Sequence, residues 1–286
     1  MPRALRASPT GLIRLVHPFP CVLNGVVTAA VALVAGADAE LAFRLGLSMV
    51  ALQASIGSLN DVLDARHDAG RKPGKPIPSG RVSPDVARMV VVASAGLGIA
   101  AVVASGPALV ALAGAGLVIG YAYDLVFKGT IWSWLPFAVG IPLLPVYGWL
   151  GATGRLPTAF ALLLPMAVMA GAALAIANSR ADEERDADAG LTSIATRSGS
   201  EVAWRIHAAL LVVVVVVAVA TLLVVGAASA AVGLTLAAAL VVVGGIVLGR
   251  SGTPERRERA WELETVGIGL LATVWLAGLA IGGSLR

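Results

Sequence analysis

This 286-residue chain is short of charge. Only 13% of its residues are Asp, Glu, Lys or Arg, against about 25% in soluble domains. With 58% hydrophobic residues and a mean hydropathy of +0.87, the composition excludes an ordinary soluble domain. Cysteine is nearly absent: Cys21 stands alone inside an apolar run, which excludes a disulfide framework. Residues 1–20 are basic but hold no short apolar core followed by a cleavage site. No removable signal peptide is therefore expected, and the first apolar run should persist as a helix.

What is present is apolar sequence in lengths that cross a bilayer, roughly 20 residues each. Nine such stretches are read, at 18–36, 41–60, 84–104, 106–123, 131–150, 157–178, 203–226, 228–249 and 265–283. The fold class is all-α, a polytopic membrane protein forming one transmembrane domain over 1–286. Its Ala, Val and Gly content favours close helix packing through small residues. With the N-terminus inside the cell, all but Arg44, Arg155 and Arg286 of the 21 Lys and Arg fall on the cytoplasmic side, as the positive-inside rule requires. All but Asp38 and Glu40 of the 17 acids fall there too. The plasma membrane of a prokaryote is the expected location. Topology accounts for the pI near 9.7, so nucleic-acid binding is not needed to explain it.

The second span ends in SLNDVLDARHD, and the sixth in NSRADEERDAD. Asn60, Asp64 and Asp68 stand at one common offset from Asn178, Asp182 and Asp186. The shared N-x3-D-x3-D spacing puts three residues on one helix face. Its repetition at equivalent places suggests two related four-helix halves plus a ninth helix. Both copies sit at helix C-termini, where the macrodipole is negative and carboxylates need a compensating cation. Oxygen-liganded divalent cations supply one, and Mg²⁺ commonly brings a phosphate with it. Solvated loop acids paired with nearby Arg and Lys are the plain alternative; the repetition argues for a site made of Asp61, Asp64, Asp68, Asp182 and Asp186.

Arg71, Lys72, Lys75 and Arg81 follow the first motif in a loop stiffened by Pro73, Pro76 and Pro78. Either they hold the remaining oxygens of a metal-bridged diphosphate, or they simply obey membrane topology. Tyr121, Tyr123, Asp124 and Lys128 occupy the short loop between spans four and five. Lys128 is a second diphosphate contact or an interfacial anchor, and a tyrosine lines the mouth in the first case. Asn24 is a helix-packing or a pocket residue. His17 reads as interfacial, Trp132, Trp134 and Trp149 as belt or packing residues. The segment 254–265 reads as an amphipathic surface helix with solvated charges.

These residues resemble the UbiA superfamily of intramembrane prenyltransferases. The resemblance lies in Asn60-Asp61-x2-Asp64-x3-Asp68, in Lys75-Pro-Ile-Pro-Ser-Gly80, and in Asp182-x3-Asp186 followed by Gly190 and Thr192. It implies helices around a lipid-accessible central cavity, with two Mg²⁺ ions held by Asn60 and the five aspartates against an isoprenyl diphosphate. Arg71, Lys75, Lys128 and Asn178 are the implied diphosphate contacts, and Asn24, Tyr121 and Tyr123 the implied pocket. The activity implied is prenyl transfer to an aromatic or other lipophilic acceptor. The alternative on the same fold is a terpene cyclase, in which the substrate's own double bonds quench the cation. A transporter with inverted repeats is disfavoured, because the acids cluster at one face and not at the bilayer midplane.

Overall fold

The computed structural model describes residues 6–70, 72, 74–188 and 190–282, and these are helical almost throughout. The order is α1 (Pro9–Leu15), α2 (Pro18–Val34), α3 (Ala39–Asp68), α4 (Pro84–Ala100), α5 (Pro107–Ala122), α6 (Leu135–Gly140), α7 (Leu143–Thr153), α8 (Phe160–Ala181), α9 (Glu183–Asp188), α10 (Ile194–Ser198), α11 (Ser200–Val224), α12 (Ser229–Leu248) and α13 (Pro254–Ile281). Several starts follow from local chemistry. Pro9, Pro18, Pro84, Pro107 and Pro254 open helices where the missing N–H costs nothing. Ser8, Asp38, Ser83 and Thr253 cap theirs by accepting a backbone N–H.

Among the described residues eight helical stretches are long and apolar enough to span a membrane, and α1 with α2, bent by 60°, makes a ninth. The nine-span expectation therefore stands, with changes at its edges. The span read at 131–150 is broken into α6 and α7 at Pro142, which has no N–H to continue the ladder. The span read at 41–60 extends through the whole first acidic motif. At 30 residues α3 is about 45 Å long, against a hydrocarbon core of about 30 Å. Asn60 to Asp68 occupy the C-terminal turns of that long helix.

The surface-helix expectation for 254–265 is corrected in part: Glu255, Arg256, Glu258 and Arg259 are exposed as expected, but the helix is not separate and two of its charges are buried. Those residues are the first turns of α13, continuous with the last span. Arg257 is 8% exposed and Glu264 1%, so neither is solvated. Arg257 is satisfied by carbonyls of Arg180 and Gly252 and by the Glu184 carboxylate, and Glu264 faces His207 at 3.3 Å.

Small residues let the helices meet backbone to backbone. A Cβ on Gly25 would come to 2.9 Å from the Gly46 carbonyl oxygen, and one on Gly46 to 2.8 Å from that of Gly25, at the crossing of α2 and α3. One core gathers Trp149, Phe160, Leu174, Leu211 and Trp275; a second gathers Leu45, Met49, Leu109 and Tyr147. The outer faces expose Phe43, Val92, Val118 and Leu240, the apolar surface that lipid covers.

Candidate active site

Both acidic motifs lie at the same end of the bundle, but they are built differently. The first is continuous helix. The second breaks at Asp182, the C-terminal cap of α8, and resumes in α9. The break turns Asp186 toward the residues around the first motif: it lies in the field of Asp182, Lys72, Lys128 and Arg185. Burial and the neighbouring Asp182 push the Asp186 carboxyl up to about 6.

Three of the cations singled out in the sequence, Lys72, Lys75 and Lys128, are found on carboxylates of the first motif. Lys75 and His17 share one oxygen of Asp61, His17 Nε2 at 2.9 Å; Lys128 pairs with Asp64, Lys72 with Asp68 at 3.3 Å, and Arg185 with Asp182. Asp61 and Asp68 are almost wholly buried. Arg71 lies outside the described residues. The loop bearing Lys75 is fixed by the N-terminal arm: Ser8 N–H donates to the Arg81 carbonyl at 2.9 Å, Ser83 N–H to that of Arg6 at 2.8 Å, and Arg14 Nη1 to that of Gly74 at 3.2 Å. Leu15, Ile77, Val82 and Ala87 form the small core beneath.

Two spaces stack along α8. A polar pocket with about 450 Å³ of empty space, partly open, lies between Tyr123, Lys128 and Ser133 on one side and Asn178, Asp182 and Asp186 on the other. Further along α8, from Leu174 to Leu163, an apolar pocket with about 690 Å³ of empty space, also partly open, is lined by α2, α7, α11 and α13 as well, with Asn24 as a polar group in its wall. Of the two tyrosines expected at the mouth, Tyr123 is there, edge-on to Phe137 at 5.3 Å. Tyr121 instead shares a 2.6 Å hydrogen bond with Ser55, tying α5 to α3.

Three participants gave little sign of themselves in the sequence. His17, read as interfacial, is the N-cap of α2 at the kink, with a left-handed φ of 52° and its ring over Gly57; such strain gathers at functional positions. Asp124 accepts a 2.7 Å bond from Asn60 Nδ2. Its sequence signal is the four-residue step to Lys128, matching that from Asn60 to Asp64. Arg257 binds Glu184 on α9, a contact between distant residues that no local pattern announces.

Among the described residues no three carboxylate, imidazole or thiol side chains converge closely enough to enclose an ion by themselves. The donor set still suits a hard cation. Its groups are oxygens, three of its carboxylates already hold ammonium groups, and Asp61 Oδ2 is buried with no hydrogen-bond partner among the described residues. Asp68 Oδ1, though near Lys72, has no aligned donor among them either. Mg²⁺ asks for few protein ligands and completes its shell with phosphate and water.

Residues 20–282 match the sequence model of the UbiA prenyltransferase family. The chain belongs to that family. It is an integral membrane prenyltransferase. A digeranylgeranylglyceryl phosphate synthase of Methanopyrus kandleri is 30% identical over 198 residues, which are 68% of this chain and 72% of that protein. The solved structure of a UbiA homologue from Archaeoglobus fulgidus bound to DMAPP and Mg²⁺ superposes with a TM-score of 0.66 at 18% identity, covering 91% of this chain and 99% of that one. The apo structure of a homologue from Aeropyrum pernix gives 0.70 at 18% identity, covering 95% and 100%. At those identities the superpositions speak for the fold.

Proposed function

We propose that this UbiA-family protein ionises an isoprenyl diphosphate with Mg²⁺ and transfers the prenyl group to a lipophilic acceptor. One observation carries the reading: a polar pocket with aspartates on its wall lies next to an apolar pocket, and both follow a single helix, α8. A diphosphate belongs in the first and an isoprenoid tail in the second. Asn60 with Asp61, Asp64, Asp68, Asp182 and Asp186 would hold the metal, and two motifs suit two ions. When bound, Mg²⁺ supplies the charge that neutralises the leaving diphosphate.

The chain's own groups do the rest. Lys75 and Lys128, released from Asp61 and Asp64, donate to diphosphate oxygens, and Asn178 lies on the same wall. As the allylic C–O bond breaks, its electron pair leaves with the diphosphate. The carbocation then lies among apolar side chains that keep water from quenching it. The acceptor's electron-rich atom forms the new bond and gives up a proton. Tyr123 and Asn24 are the polar side chains placed along that path. The name of the Methanopyrus relative favours an acceptor of glyceryl phosphate type over an aromatic one. The distribution of basic residues supports a prokaryotic plasma membrane with the N-terminus and both motifs on the cytoplasmic side.

The test is purified protein with Mg²⁺ and geranylgeranyl diphosphate, alone and then with a glyceryl phosphate lipid or a phenol. Diphosphate release that waits for the glyceryl phosphate lipid supports the proposal. Release without any acceptor, accompanied by a cyclic hydrocarbon in the lipid extract, would replace it with a terpene cyclase.

A further inference from the structure

The turn after α5 places one more carboxylate at the site than the two motifs contain. Residues Tyr123–Phe127 form a π-helical turn, closed by the Lys128 N–H donating to the Tyr123 carbonyl at 2.8 Å. Such wide turns are common at functional positions, because the extra residue re-aims the side chains beyond it. Here the shift sets two rungs against α3. Asp124 takes the Asn60 amide at 2.7 Å, and Lys128 takes Asp64. Each side advances by four residues, one helical turn, so the rungs stack. The other carboxylate oxygen of Asp124 is buried with no hydrogen-bond partner among the described residues. The charged groups facing Asp124 are Lys128, Asp64 and His17.

An amide has two ends of opposite character, an NH₂ that donates and an oxygen that accepts. With its NH₂ on Asp124, Asn60 has a carbonyl oxygen that accepts no hydrogen bond among the described residues, one turn from Asp64. That oxygen is the end a hard cation can use. A reversed amide would set its oxygen against the Asp124 carboxylate and offer N–H groups to the cation. We propose that Asp124 is a positioning residue: it fixes the Asn60 amide with its oxygen turned toward the Mg²⁺ site. The inference rests on reading the paired motifs as that site.

The experiment uses the full chain in detergent, titrated with Mn²⁺ in the absence of diphosphate. Free Mn²⁺ is read by electron paramagnetic resonance, and melting temperature is recorded beside it. Removing an outer partner of a ligand weakens metal binding by about 10- to 100-fold, and that is expected of D124A with its melting temperature in the metal-free state preserved. D124N keeps an oxygen for the Asn60 NH₂ and should bind Mn²⁺ nearly as the parent does. N60D opposes two carboxylates and should bind poorly; N60D/D124N exchanges donor and acceptor and should recover. D124A binding as tightly as the parent overturns the assignment. D124N as weak as D124A also overturns it, because the negative charge of Asp124, and not its acceptor oxygen, would then be what matters. If the parent binds no Mn²⁺ either alone or after inorganic diphosphate is added, the metal-site reading itself fails and this inference with it.

Discussion

Arg257 Nε donates to the carbonyl of Arg180 at 2.7 Å, and both guanidinium groups are buried at the junction of α8, α12 and α13. Arg180 spends its own N–H groups on the carbonyls of Ser200, Gly249 and Arg250, at 3.0, 2.8 and 3.2 Å. The Gly249 and Arg250 oxygens lie just past the end of α12, where carbonyls lack helical partners, and that of Ser200 lies in the first turn of α11. Arg257 also binds Glu184, which lies between Asp182 and Asp186 in the chain. The pair therefore joins the second acidic motif to three spans.

Removing Arg257 should loosen α9 and strand oxygens. A hydrogen bond to a charged group contributes about 1.5–3 kcal/mol, and Arg257→Met loses several while keeping the volume of the stem. A lower melting temperature is expected, with a higher Mg²⁺ requirement for diphosphate release. Glu184→Gln should be much milder, because the Glu184 side chain is 56% exposed and its pairing is screened. Equal losses in the two variants would show that the Glu184 contact, and not the carbonyl contacts, is what matters.

Asp64 and Asp182 sit in the two motifs and each is held by a cation, Lys128 and Arg185. Asp64→Asn or Asp182→Asn should abolish Mg²⁺-dependent diphosphate release and leave the protein folded in detergent. Lys128→Met should act differently, raising the KM for the isoprenyl diphosphate. Unchanged release in both aspartate variants would end the two-motif assignment, whatever Lys128 does.

The legible part of the site was the part with a signal along the chain. Asp61 and Asp64 announced themselves because carboxylates are anomalous at the end of an apolar helix, and the second copy repeated the spacing. His17 and Arg257 gave no such sign. The His17 partner, Asp61, becomes a neighbour only through the 60° kink between α1 and α2. Arg257 finds oxygens on residues 180, 184 and 252, so a charge that looks solvated along the chain is satisfied in the fold. The His207–Glu264 pair, on α11 and α13, was hidden for the same reason.

The tail cavity makes a prediction about chain length. Ala272 lines it from α13 without being packed as tightly as its neighbours Leu271 and Trp275. Ala272→Phe should fill part of the space, so turnover of geranylgeranyl diphosphate should fall more than that of geranyl diphosphate. Overpacking a full core costs about 1–3 kcal/mol, so a preserved melting temperature is the control. Equal loss with both substrates would place the tail elsewhere.

The pH dependence originates at Asp186. Burial and Asp182 raise its carboxyl to about 6 in the cation-free protein, above the ordinary carboxylate value of about 4. The folded state therefore favours the protonated form. That contribution to stability is complete below about pH 4 and is lost as the pH rises through about 6. Above that pH, Asp186 is ionised in the unfavourable field of Asp182, which is the state a divalent cation relieves. Below it, binding must first expel a proton. The Mg²⁺ concentration for half-maximal diphosphate release should consequently rise as the pH is lowered from about 7.5 to about 5, and the melting shift produced by Mg²⁺ should shrink over the same interval. Asp186→Asn should flatten that pH dependence of the shift. A parent protein whose Mg²⁺ response is flat over this range would mean that Asp186 does not meet the cation.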